Sequence, residues 1–386
     1  MRRVRELSWS SLLAVSWALA ACSASASVRS VESSVTSSVN GSKEAQNLID
    51  IADLQRESSG TSLSAEIPFA HVEWCASGGA SIVGSPVLDE EERSYIATSD
   101  GYLHAFERDG RFRWSYTVKG TPLGSVSLRP HDGVILMGTS QRYVYAINQA
   151  GGLYWFFRTL TPVWSGLFAL NEDSIVFLGH DRRLYALANR SGRARYRVRA
   201  PGDLMGDPVV AAGNVVWLPL SDGVARLQAA IKMEKFNFSS ATEQLVAFGD
   251  RAIARAGGET YILQEGGPMT SRGAAAFLAA DNQHFALFDE AGKARLFTHD
   301  LVSVNLPKET STDQRKYLSD APAMAHSHFW LPYADGTIGV RPLLGGREER
   351  LKIGNGPLAT PVVGSSGKWA LVPTRGGRFC ALVVDR

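Results

Sequence analysis

Three stretches of the chain say nearly the same thing: "SDGYLHAFERDGRFRW" (99–114), "SQRYVYAINQAGGLYW" (140–155) and "HDRRLYALANRSGRARY" (180–196). Each reads as a strand, a polar turn with glycine, and a second strand ending in an aromatic. A run of β-branched and apolar residues precedes each one: "RSYIATS", "GVILMGTS" and "SIVFLGH". The alanines Ala105, Ala146, Ala186 and Ala225 mark the period, in steps of 41, 40 and 39 residues. A strand-only repeat of about 40 residues is the period of a four-stranded propeller blade, and closing the blades into a ring removes the open-edge problem of a long sheet.

The period continues, more faintly. "GDPVVAAGNVVWLPLSDGVARLQ" is a fourth unit, "LVAFGDRAIARAGGETYILQ" and "GAAAFLAADNQHFALFDEAGKARLF" are weaker fifth and sixth units, "DAPAMAHSHFWLPYADGTIGVRP" is a seventh and "ATPVVGSSGKWALVPTRGGRFCALVV" an eighth. Blade boundaries within about residues 230–320 are not defined by this pattern. The eighth unit stops at Arg386 without its aromatic strand, and that strand stands at the other end of the body. Trp74 lies ten residues before Gly84, the interval that separates Trp114 from Gly124. The small residues Gly124, Ser165 and Gly206 open successive units at that spacing. These intervals predict an all-β, eight-bladed propeller of four-stranded antiparallel blades, in which the N-terminal strand completes the C-terminal blade.

Ahead of the repeats stand two segments of another kind. Residues 1–21 have a basic start, "MRRVRE", and an apolar stretch, "LSWSSLLAVSWALAA", too short for a comfortable membrane span. The segment runs into Leu19-Ala20-Ala21-Cys22, which resembles the bacterial lipobox; the resemblance implies a lipoprotein signal peptide over 1–21 and acylation of Cys22. By the same resemblance, Ser23 rather than Asp after the cysteine implies sorting to the outer membrane. Residues 22–62 are Ser-rich and poor in aromatics, a composition that reads as a flexible tether, with one short helix over "KEAQNLIDIADLQ". Such a tether would span roughly 35–40 Å root-mean-square. The propeller is expected over 63–386, as a monomer. Formal net charge is +2, all of it within the leader, so the body is near neutral, which argues against a nucleic-acid partner.

The order of Ala, turn, Gly and Trp resembles the PQQ-like (quinoprotein-type) β-propeller repeat over about residues 70–386. In the third unit Gly192 and Tyr196 stand six and ten residues after Ala186; in the first two, Trp114 and Trp155 stand nine after their alanines. Eight such repeats behind a lipobox look most like the BamB family of outer-membrane assembly lipoproteins. That resemblance implies a non-catalytic scaffold at the periplasmic face of the outer membrane. It also implies the barrel-assembly machinery or other envelope proteins as partners. Trp74, Trp114, Trp155 and Tyr196 are expected to dock blades together rather than to stack a ligand, because a buried aromatic supplies a large apolar area.

Quinoprotein enzymes hold their cofactor between stacked Trp and an adjacent-cysteine disulfide, with Ca²⁺ on acidic and amide side chains. This chain has three cysteines and no adjacent pair, so no cofactor, catalytic or metal residue is assigned. "HSH" (326–328) lacks a visible third ligand, the His-Asp pairs at 131–132 and 180–181 fall in repeat turns, and "GREER" (346–350) reads as a solvated hairpin tip. The alternatives to the scaffold reading are a propeller lipoprotein with another envelope binding role, or a quinoprotein enzyme using the central funnel.

A two-residue turn at Asp109-Gly110 would pair Ala105 with Trp114 and His104 with Ser115. The same register places Ala381 opposite Trp74 and Cys380 opposite Cys75. Two buried thiols or a disulfide satisfy this placement; an oxidising envelope makes the disulfide the expectation. The longer turn of the third unit would shift the pairing by one place.

Overall fold

The computed structural model describes residues 69–385, except 164, 172, 229–231, 265–266, 269–270, 282, 305, 307–316, 326 and 345. The leader, the Ser-rich segment, its expected short helix and Cys22 therefore lie outside the described residues. The body consists of eight four-stranded antiparallel sheets. Blade 1 comprises Val87–Leu88, Ser94–Thr98, Tyr102–Phe106 and Phe112–Thr117. Blade 2 comprises Pro122–Leu128, Ile135–Thr139, Tyr143–Ile147 and Leu153–Arg158, and blade 3 comprises Phe168–Asn171, Ser174–Gly179, Arg183–Ala188 and Ala194–Arg199. Blades 4 to 7 begin at Val209, Thr242, Phe277 and Ala323 and end at Asn237, Pro268, Val304 and Lys352. Blade 8 holds Val362–Val363, Trp369–Pro373 and Arg378–Val384, and its fourth strand is Ala70–Ser77 from the start of the body.

The second strands explain why the apolar runs are so continuous. Ser94–Thr98, Ile135–Thr139 and Ser174–Gly179 are buried at every position, because each packs between the blades on either side. The fourth strands lie at the rim and alternate, as in Ala194–Arg199, whose two half-buried residues are flanked by exposed ones. The core is divided into eight apolar clusters, one at each junction between blades. The junction of blades 8 and 1 is typical: Trp74, Trp369 and Phe379 meet Ile96 and Phe106. Neighbouring blades thus complete one another's cores, which is why the sequence repeats.

First strands run side by side around the axis from blade 4 through blade 8 to blade 2. The small residues that open each unit permit this. A Cβ on Gly124 would sit 2.4 Å from the Gly166 amide nitrogen, and one on Gly84 would sit 2.5 Å from the Gly124 carbonyl oxygen. Polar contacts tie the same level together: the Ser125 hydroxyl and the Gly166 N–H both donate to the Asp207 carboxylate, at 2.7 and 2.9 Å.

The ring closes as the intervals require. Ala70–Ser77 pairs antiparallel with Arg378–Val384, with Trp74 opposite Ala381 and Cys75 opposite Cys380. One detail of the register differs from expectation. The turn after Ala105 is a three-residue loop, not a two-residue one: Glu107 N–H donates to the Arg111 carbonyl at 2.8 Å, and Gly110 takes φ +83°. A left-handed glycine at that position is what a three-residue hairpin requires. A bulge then absorbs the extra residue, so Phe106 faces Phe112 while Ala105 still faces Trp114. The third unit does the same. Its longer turn leaves Ala186 opposite Tyr196, and the irregularity falls between Ala186 and Leu187.

The segment Gly346–Arg350 is not a free tip. Glu348 accepts from Tyr333 Oη at 2.9 Å and from Arg350 Nε at 2.6 Å. The Glu349 carboxylate receives the Phe69 and Ala70 amides at 3.0 and 2.9 Å, tying the start of the closing strand to blade 7.

Candidate functional site

Three indoles make one recurring joint. Trp74, Trp114 and Trp155 each leave the outer strand of one blade and cover the glycine turn of the next. A Cβ on Gly110 would lie 2.6 Å from Trp74, one on Gly151 2.8 Å from Trp114, and one on Gly192 2.5 Å from Trp155. Each indole N–H donates to a carbonyl of the turn it covers: Arg108 at 2.7 Å, Gln149 at 2.9 Å and Asn189 at 3.0 Å. These rings are held by protein on their faces and at their nitrogens, so they are not open platforms for a ligand. Tyr196 packs half-buried against the cluster between blades 3 and 4. The turn it would cover, at 229–231, lies outside the described residues. Trp217, Trp330 and Trp369 are also fully buried, on second strands that carry no such signal.

Cys75 and Cys380 are joined as a disulfide across the closing strand pair. They stand 305 residues apart in sequence, within the junction of blades 7 and 8. That is not the adjacent-cysteine platform of a quinoprotein, and the Trp faces are occupied by glycine turns. Among the described residues no three His, Cys, Asp or Glu side chains come together to hold a metal. The described residues therefore do not fit PQQ with Ca²⁺. His328 stacks on Phe69 with ring centroids 5.8 Å apart, and burial holds its imidazole below the usual histidine range. His326 lies outside the described residues.

The titratable groups of the clefts are likewise used by the fold. A cleft of about 420 Å³ between blades 8, 1 and 2 is lined by Asp89, Glu91, Arg129, His131 and Asp132. Asp89 takes Arg93 Nε at 2.6 Å, Tyr95 Oη at 2.8 Å, and the Glu91 and Arg93 amides. Arg129 holds the Asp132 carboxyl below the usual carboxylate range and also donates to the Asn189 carbonyl at 2.6 Å. Asp181 of the other His-Asp pair accepts from Tyr185 Oη at 2.9 Å. Each of these carboxylates is spoken for by a neighbour from its own turn or hairpin.

What remains open is the rim, above all the outer strand of blade 2. Leu153, Tyr154 and Phe156 are 43%, 49% and 56% exposed, and Leu160 just beyond is 68% exposed. Tyr154 lies over the Arg129 guanidinium at 5.2 Å, Phe156 meets Tyr143 at 6.0 Å, and Arg158 and Lys119 flank the Tyr143 ring. The backbone is open as well. Thr159 N–H donates inward to the Arg142 carbonyl at 2.8 Å, which fixes the phase of the ladder. Antiparallel alternation then turns the N–H and C=O of Phe156 and Arg158 outward. Natural sheet edges are usually guarded by charge, proline or brevity. Here blades 5 and 6 end in two-residue strands, and blades 4 and 7 end in the charged "KMEKFN" and "ERLK". The blade 2 edge, "LYWFFR", has one charge in six residues. An edge of this kind can accept another extended chain, with main-chain pairing for affinity and aromatic contacts for selectivity.

Comparisons with known proteins agree with this architecture. Residues 140–283 match the family model described as "Outer membrane protein assembly factor BamB". The fold is similar to BamB from Moraxella catarrhalis, with a TM-score of 0.64 and 14% identity over 81% of this chain and 97% of that one. It is also similar to the computationally designed Ika8 protein, with a TM-score of 0.62 and 12% identity over 80% and 98%, and to the Pan2 WD40 domain of Neurospora crassa, with a TM-score of 0.54 and 12% identity over 82% and 96%. A segment of 127 residues is 26% identical to the human beta-alanine-activating enzyme. That match spans 12% of the human protein's length. The chain is thus an eight-bladed β-propeller with a PQQ-like fold, and its residues 140–283, from within blade 2 to within blade 6, are similar to the BamB family model.

Proposed function

We propose that the protein is a non-catalytic scaffold of the bacterial envelope. Cys22 anchors it by lipid to the outer membrane, and it assists the assembly of outer-membrane β-barrel proteins through protein–protein contacts. The observation that carries this reading is the unguarded aromatic edge of blade 2, on a propeller where Trp74, Trp114 and Trp155 dock blades and Asp89, Asp132 and Asp181 are held within their own hairpins. The match of residues 140–283 to the family model described as an outer membrane protein assembly factor supports the same reading. Affinity capture of the full chain from detergent-solubilised envelopes under mild crosslinking should bring down components of the barrel-assembly machinery. Capture of none of them would sink the assembly role while leaving the fold intact.

The anchor has its own test. Replacing Cys22 by Ser removes the only thiol available for acylation ahead of the body, so the protein should leave the detergent phase and appear in the soluble fraction. Several acyl chains anchor stably where one binds only marginally, so the shift should be close to complete. Retention of the Cys22→Ser chain in the detergent phase would refute lipid anchoring at this residue.

A further inference from the structure

Residues 182–202 contain seven arginines and no acid, whereas the entire chain nets only +2. The remainder of the molecule is therefore net negative, and the positive charge is concentrated on one blade. The fold places it at a single edge. Arg195, Arg197 and Arg199 are exposed on the outer strand of blade 3, Arg190 and Arg193 are exposed in the turn leading into it, Arg183 begins the strand beside it and Arg182 stands in the turn just before. Arg183 and Arg199 are direct cross-strand partners. Like charges set opposite each other destabilise a sheet, so this pairing works against the fold. The neighbouring acids offset little of it: Asp203 pairs with Arg182, Asp181 lies 3.8 Å from Arg183, and Asp173 lies 4.0 Å from Arg195. Among the described residues, Arg190, Arg193 and Arg199 have no acidic partner.

The backbone of this edge is open in step with the charge. Ala200 N–H donates inward to the Arg182 carbonyl at 2.8 Å, and Ala186 faces Tyr196. Alternation from that pair turns the N–H and C=O of Arg197 and Arg199 outward, with Arg195 at the bulge beside them. Arg197 rests over the Tyr185 ring at 5.9 Å. Tyr185 stacks on Phe177 at 5.1 Å and belongs to the cluster between blades 2 and 3. The cationic face is therefore turned toward the blade 2 side, above an aromatic floor. Charge alone can guard an edge, but guarding needs no single sign, and the outer strands of blades 4 and 7 mix both signs.

We propose that the outer strand of blade 3, Ala194–Arg199, pairs edge-to-edge with an extended acidic segment of a partner protein, one bearing Asp or Glu at every second position to meet Arg197 and Arg199, with the exposed Arg195 at the bulge adding to the positive field. This rests on the docking reading given above and adds to it the chemistry of the docked chain. The spacing follows from strand geometry: side chains on one face recur every second residue. The contact gains main-chain hydrogen bonds and charge pairs at once, and it relieves the repulsion between Arg183 and Arg199. It weakens as salt rises, because the pairs are exposed.

The test uses a fluorescent synthetic decapeptide alternating Val and Glu, titrated by anisotropy against the full chain purified in detergent. Saturable binding is expected, with at least a tenfold loss in the triple variant Arg195→Glu, Arg197→Glu, Arg199→Glu. All three side chains are exposed, so the variant should keep its fold, checked by an unchanged far-ultraviolet circular dichroism spectrum. An alternating Val-Lys peptide should not bind. A peptide with its five Val and five Glu in separate blocks should bind weakly, and N-methylation of alternate residues of the Val-Glu peptide should abolish binding. Equal binding of the N-methylated or block peptide would overturn strand pairing. Failure of the Val-Glu peptide, or capture of the chain by phosphatidylglycerol vesicles through the same arginines in its place, would overturn the proposal. Neither outcome would disturb the capture of assembly components predicted above, so the two claims fail separately.

Discussion

Removing the disulfide should lower the stability of the propeller more than any other change that leaves its sheets intact. The double variant Cys75→Ala, Cys380→Ala opens a loop of 305 residues, and the chain-entropy model assigns such a loop up to about 5 kcal/mol, acting on the unfolded state. The folded ring should survive. Seven residue pairs still join Ala70–Ser77 to Arg378–Val384, and the clusters on both sides of blade 8 remain. The variant should therefore show the native circular dichroism spectrum and a lower denaturant midpoint. In the protein without reductant, thiol titration in denaturant should find neither cysteine free. Two free thiols per chain from this pair would show that the bridge is absent in solution, while the strand closure would stand.

The second large effect is expected at Trp155. Its ring is 8% exposed, lies against Gly192 and donates to the Asn189 carbonyl. Trp155→Ala should cost about 3–5 kcal/mol, the range for emptying an aromatic site in a packed core. Trp155→Phe should cost less. It keeps an aromatic plate over Gly192 and forfeits mainly the indole hydrogen bond, worth about 0.5–1.5 kcal/mol. The Asn189 carbonyl stays satisfied by Arg129. Urea titrations of the two variants check the order. An alanine variant no less stable than the phenylalanine one would show that the indole is not a joint between blades 2 and 3.

Most of the architecture was legible because the ring must repeat its joint. Trp74, Trp114 and Trp155 sit at regular intervals since each has the same turn to cover, and counting from Trp74 to Gly84 was enough to close the ring. Blades 5 and 6 were faint for a physical reason: their outer strands, Gly267–Pro268 and Ser303–Val304, are two residues long and carry no aromatic. The turn at Gly110 was misjudged because an Asp-Gly pair fits both a two-residue turn and the last positions of a three-residue one. Only the compensating bulge kept the pairing of Ala105 with Trp114. Trp217 and Trp330 gave no signal, since strands buried on both faces read as unbroken apolar runs. The blade 2 edge was hidden too, because "LYWFFR" looks like core until the fold puts it outermost. The arginines of blade 3 needed no structure: seven cations without an acid in a near-neutral chain is a charge pattern that counting alone can find.

The central claim is that a protein partner docks on the blade 2 rim. The direct measurement is photocrosslinking in cells with p-benzoylphenylalanine placed at Phe156 and, as a control, at Val302 of blade 6, which is 61% exposed. Adducts with an outer-membrane assembly component from position 156 and none from position 302 are the predicted result. No adduct at 156, or the same adducts from both positions, would contradict it.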